Sequence, residues 1–125
     1  MPSRRAKKIR WLPDAQAHDY PAARSYLRLL YRDTEVATIV KRLKVTRPTE
    51  FKAKDIFRAS RLSLLGVSNS HVAKDRIKIG AGERLSPLLL VRDGHNGKVI
   101  IADGYHRLCA VYTFDEDAWI PCKIV

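Results

Sequence analysis

The spacing of apolar positions changes several times along the chain, and each change predicts an element. Residues 1–20 have little periodicity, carry Pro13 and run into Pro21, so they read as an extended arm. Pro21 suits the first position of a helix over 21–32, with Ala23, Leu27, Leu30 and Tyr31 on one face. Asp33 or Thr34 can cap a second helix over 35–43, whose apolar side is Val36, Ile39, Val40 and Leu43. Pro48 forces Arg47 to be extended and ends the pattern. A short strand over 49–53 and a short helix over 54–62 follow. "SNS" at 68–70 predicts the cap of a helix over 70–79, with Val72, Ala73, Ile77 and Ile79 inward and Gly80 as its stop. A connector over 80–87 leads to strands 88–92 and 98–102, joined by "DGHNG", whose glycines and Asn96 suit turns of positive φ. Leu88, Leu89, Leu90 and Val91, then Val99, Ile100 and Ile101, are continuously apolar, which predicts strands covered on both faces. A further helix follows "ADG", then an acidic loop, and "WIPCKIV" reads as a last strand. The fold class expected is α+β: a small mixed sheet with helices packed on it, preceded by a helical N-terminal extension. The expected division is a basic arm and helical extension over 1–47 and a sheet-bearing domain over 48–125.

Composition narrows the class. A chain of 125 residues with 46% hydrophobic content fits one globular domain. No apolar run has transmembrane length, and the basic start "MPSRRAKKIRWLP" is not followed by the apolar core of a signal peptide. The expectation is a soluble, cytoplasmic protein without a membrane partner. Cys109 and Cys122 lie among apolar neighbours, no CxxC occurs, and His18, His71, His95 and His106 lack metal-ligand spacing. Two buried reduced thiols are expected, and no structural zinc. The net charge of +11 and pI near 10.1 imply anionic partners, nucleotides or nucleic acid. Arg4, Arg5, Lys7, Lys8 and Arg10 meet no acid within residues 1–10 and are candidate nucleic-acid contacts. A second basic accumulation runs from Arg42 to Lys54.

The chemistry concentrates in "IADGYHRLCAVY", residues 101–112. A strand, "ADG" and a helix in succession put the amides of Gly104, Tyr105 and His106 at a helix N-terminus, where unpaired donors and the helix dipole favour an anion. Gly104 permits close backbone approach, His106 and Arg107 add donors, and arginine suits bidentate phosphate contact. Asp103 has two readings. It is an N-cap, or, if a phosphate binds beside it, a ligand of Mg²⁺ or a base for an incoming hydroxyl. His106 is a general acid or phosphate donor, or a hydrogen-bonded helix-start histidine. Tyr105 reads as a ring packed on the sheet edge. His71, Lys74 and Lys78 share one helix face and can close over phosphates from the other side.

The order helix, "LSPLLLV", hairpin, "VIIADGYHRLCAV", loop, "IPCKIV" resembles the ParB/sulfiredoxin superfamily over about residues 68–125. The resemblance implies a ParB/sulfiredoxin-like sheet domain that binds ATP, ADP or CTP. It implies phosphate contacts from Gly104, Tyr105, His106 and Arg107, with His71 or Lys74 as partners. Sulfiredoxins carry a catalytic cysteine where Tyr105 stands, which argues against that activity. The chromosome-partitioning branch has G-E-R-R at this joint and a helix-turn-helix domain beyond it. The D-G-H-H-R branch, which includes free-serine kinases, differs from "DGYHR" at one position. It implies a role for Asp103 in phosphoryl transfer, with ATP or another nucleotide and Mg²⁺ as cofactors. The expected function is nucleotide binding, with Mg²⁺-dependent phosphoryl transfer or nucleotide hydrolysis in which Asp103 and His106 are catalytic. The alternative is a non-enzymatic nucleic-acid-binding or nucleotide-sensing module using the basic surface. A second acid beside Asp103 favours an enzyme, and Glu50, on the first expected strand, is the candidate.

Overall fold

A computed structural model describes residues 8–66 and 68–125. Strand β1 (Arg10–Trp11) precedes helices α1 (Asp19–Leu27) and α2 (Asp33–Val45), then β2 (Thr49–Lys52), α3 (Ala53–Ser60) and α4 (Ser70–Gly80). Strands β3 (Arg84–Leu85), β4 (Leu88–Asp93) and β5 (Lys98–Asp103) follow, with α5 (Tyr105–Phe114) and β6 (Trp119–Ile124) completing the α+β chain. The main sheet has the order β2-β6-β4-β5, with β4 parallel to β6 and antiparallel to β5, and β2 antiparallel to β6. β1 and β3 form a small parallel pair.

The unbroken apolar runs of β4 and β5 have their explanation in two packed faces. Leu88, Leu90 and Ile101 point to a cluster with Ile56, Val72, Ile79, Leu108 and Val111 from α3, α4 and α5. Leu89, Val91, Ile100 and Ala102 point the other way, onto Ala23 and Leu27 of α1 and Val36, Val40 and Leu43 of α2. Side chains alternate across a strand, so a run that is apolar at every position needs a helical layer on each side. The helical extension is therefore the cover of one sheet face, and the 47/48 division falls between α2 and β2.

Lys123 occupies that same face, fully buried on β6. Its ammonium donates to Asp14 Oδ1 at 2.7 Å, Tyr20 Oη at 2.8 Å and the Lys44 carbonyl at 3.1 Å. All of the donor capacity of a buried ammonium is used, as its desolvation requires.

Several local expectations are corrected. α1 ends at Leu27 and not at 32: the chain turns at once to lay α2 alongside, leaving Leu29 81% and Leu30 49% exposed. Ile77 is 71% exposed, because five residues rotate it about 140° from the inward Val72, whereas Ile79 at seven residues returns to the core. Arg10 lies in β1 opposite Arg84, with its guanidinium donating to the Gly82 carbonyl at 3.4 Å. Lys8 is exposed, and the candidate contacts Arg4, Arg5 and Lys7 lie outside the described residues. Among the described residues no helix is long and apolar enough to cross a membrane.

Candidate functional site

The strand-to-helix joint is built by packing. Asp103 ends β5 opposite Leu89, beside an irregularity in the β4–β5 register between Leu89 and Leu90. Gly104 then takes the N-cap of α5 at φ 107°, ψ 14°. A Cβ there would lie 2.4 Å from Leu88 Cδ2 and 2.9 Å from Arg107 Nη2, so both conformation and space demand glycine. α5 is held down by the buried Leu108, Cys109, Ala110 and Val111. No side chain caps its first turn, so the N-cap reading of Asp103 is corrected: its carboxylate turns to Arg107. α4 stands next to it, started by Asn69, whose side chain accepts from the amides of His71 and Val72.

These elements enclose a pocket of about 230 Å³ lined by His71, Lys74, Asp75, Lys78, Asp103, Gly104, Tyr105, His106 and Arg107. The sequence-derived pocket residues thus come together in one place, from two helices and a strand end. Asp75, which the sequence reading did not single out, joins them because it falls on the α4 face of His71, Lys74 and Lys78. The His71 and His106 rings meet with centroids 4.8 Å apart. Tyr105 packs on the core and donates its hydroxyl to the Ser63 carbonyl, which fits the packing reading.

Arg107 is engaged from behind. One terminal nitrogen, Nη2, donates to the Pro87 carbonyl and to Asp103 Oδ2, each at 3.2 Å, and the buried Nε has no hydrogen-bond partner. Burial pushes the Asp103 carboxyl above the ordinary carboxylate value despite the opposing pull of Arg107, and the Asp19 carboxyl, within hydrogen-bonding reach, pushes the same way. Asp19 is itself buried at 3% exposure, accepts from Ser86 Oγ and from the Gln16 amide at 3.0 Å, and lies 3.4 Å from His18 Nε2. The further acids near Asp103 are therefore Asp75, on the pocket wall, and Asp19, on α1. Glu50 is opposite Pro121 on β2, two strands away from β4 and three from β5. Nothing in the sequence links Asp19 to Asp103 across 84 positions; only the packing of α1 on β5 does.

Among the described residues no three or more His, Cys, Asp and Glu side chains gather as a metal-binding group. Both cysteines are free and buried; burial raises the Cys109 thiol and pushes Cys122 up to about 12. Such thiols are poor nucleophiles. Comparison with protein-family models, with curated proteins and with solved structures finds no match for this chain.

Proposed function

We propose that the chain binds the phosphate groups of a nucleotide in the pocket between α4 and the start of α5. The observation that carries this reading is the convergence of Lys74, Lys78, Arg107, His71 and His106 on a helix start that has no side-chain cap. Three permanent cations face two carboxylates there, and the helix start adds roughly half a positive elementary charge. Asp103, by holding Nη2 of Arg107, positions the guanidinium for the anion. The resemblance of residues 68–125 to the ParB/sulfiredoxin superfamily supports the same residues and implies the finer fold. Mg²⁺ bound to a nucleotide keeps most of its waters and takes one or two protein carboxylates, and Asp75 and Asp103 are the carboxylates on this pocket.

Titration calorimetry with ATP, ADP and CTP, with and without Mg²⁺, tests the reading. Arg107 is mostly buried and tied to Asp103 and the Pro87 carbonyl, so the decisive variant changes the exposed Lys74 and its pocket neighbour Lys78. Lys74→Gln/Lys78→Gln is expected to weaken nucleotide binding about tenfold or more, the scale of one or two lost charge-assisted contacts. Absence of heat with every nucleotide, or affinity unchanged in the double variant, overturns it.

A further inference from the structure

The positive charge is concentrated in the first third of the sequence. Residues 1–47 hold 12 of the 24 Lys and Arg but only 4 of the 13 Asp and Glu, which gives this segment +8 of the total +11. Within it, α1, α2 and the turns beside them carry Arg24, Arg28, Arg32, Lys41, Arg42, Lys44 and Arg47, all exposed. The inner side of this helical layer is consumed by the sheet, through Ala23, Leu27, Val36, Val40 and Leu43. Its outer side is consequently where the cations stand.

Few carboxylates answer them. Asp33 pairs with Arg28 at 3.3 Å, and Glu35 accepts from the Arg32 amide at 3.1 Å. Asp14 is engaged by Lys123, and Asp19 is buried. Among the described residues Arg24, Lys41, Arg42 and Arg47 form no ion pair. Between the helices lies a groove of about 450 Å³ lined by Tyr20, Arg24, Ser25, Arg28, Val40 and Lys44. The 13 residues of α2 extend about 20 Å, and duplex DNA presents a charge about every 1.7 Å of its axis, so the layer can face several phosphates at once.

We propose that the outer face of the α1–α2 layer is an interaction surface for the phosphate backbone of a double-stranded nucleic acid, contacted without regard to sequence. It lies on the opposite side of the sheet from α4 and α5 and does not depend on the phosphate pocket. Charge complementarity identifies the partner. An anionic membrane offers the same charge, but a membrane-lying helix presents a continuous apolar stripe. Here the exposed large apolar side chains are confined to the two ends, Tyr26, Leu29 and Leu30 around the α1–α2 turn and Val45 at the close of α2, and none stands between them along α2.

Fluorescence anisotropy of a short labelled DNA duplex with the full chain, between about 50 and 200 mM salt, tests the surface. Arg24→Gln/Lys41→Gln/Lys44→Gln is expected to weaken binding about tenfold or more and to lower the slope of log affinity against log salt by about two to three. A control with the same charge loss elsewhere, Arg58→Gln/Arg84→Gln/Lys98→Gln, is expected to retain most of the affinity. Should the triple layer variant melt early, Arg24→Gln/Lys41→Gln replaces it, with a slope change of about two. The proposal fails if the wild type binds no duplex at the lowest salt. It also fails if both charge-loss sets cost the same affinity, or if phosphatidylserine vesicles are bound and duplex is not.

Discussion

Gly104 shows how much a single missing side chain decides. It lets β5 pass into α5 at positive φ, and it lets the fully buried Leu88 and the Arg107 guanidinium approach the backbone. The sequence suggested a glycine for close approach to an anion; the structure adds that the nearest neighbour it accommodates is core. A β-carbon at position 104 would have to move Leu88, which is tightly enclosed at 0% exposure. Gly104→Ala is therefore expected to cost about 2–4 kcal/mol, the sum of an unfavourable left-handed conformation and overpacking. Gly94 has open space where its β-carbon would stand, and Gly94→Ala is expected to stay within about 0.5 kcal/mol. Urea unfolding of both variants reads the difference as a change in midpoint at constant slope. Equal midpoints for the two would show that the joint relaxes freely.

Among the elements, Lys123 ties four pieces of chain together: the segment at Asp14, α1 through Tyr20, the end of α2 through the Lys44 carbonyl, and β6. Burial pulls the ammonium down, but its bonds to Asp14 and Tyr20 outweigh this and leave it above the ordinary lysine value. The bond to Lys123 holds the Asp14 carboxyl below its ordinary value. A depressed acid contributes its stability above the unfolded value of 3.8 and loses it as pH falls through the folded one. A raised lysine contributes below 10.5 and loses its share as pH rises through the folded value. The contact is thus fully effective between those limits. Lys123→Met is expected to destabilise by about 1–3 kcal/mol, because the Lys44 carbonyl and Tyr20 lose a donor. Amide exchange in α1 and α2 is expected to accelerate more than in α5, and a uniform acceleration would show that Lys123 does not act on those helices. This element was not legible in the sequence. The sequence predicts only a last strand at "WIPCKIV" and assigns Lys123 no partner, because its partners lie 79 to 109 residues away. What was legible depends on short range: the continuous apolar runs of β4 and β5, the Asn69 cap, the face of α4 that carries His71 and Lys74, and the joint at Gly104. Asp19 beside Asp103 and the β1–β3 pair escaped because long-range packing alone creates them.

At the scale of the whole molecule, the sheet separates two kinds of positive charge. In the pocket, cations from α4 and α5 face Asp75 and Asp103, so much of the repulsion is answered locally. On the α1–α2 layer, seven exposed cations meet Asp33 and Glu35, and the excess charge repels itself in the folded state more than in an expanded chain. Added salt shortens the screening length from about 30 Å at 0.01 M to about 8 Å at 0.15 M, which is less than the length of α2. The melting temperature is accordingly expected to rise by a few degrees over that range, a gain of about 1 kcal/mol for a chain of this size. If the layer is the main source, Arg24→Gln/Lys41→Gln melts above the wild type at low salt and gains less from added salt. Neither side chain has an ion-pair partner among the described residues, so the substitution removes repulsion with little attraction lost. Calorimetric melts in sodium chloride, with an uncharged osmolyte at equal osmolality as control, separate screening from general exclusion effects. A melting temperature that falls with salt, or a variant that melts below the wild type by the same margin at every salt concentration, would place the charge strain somewhere other than this layer.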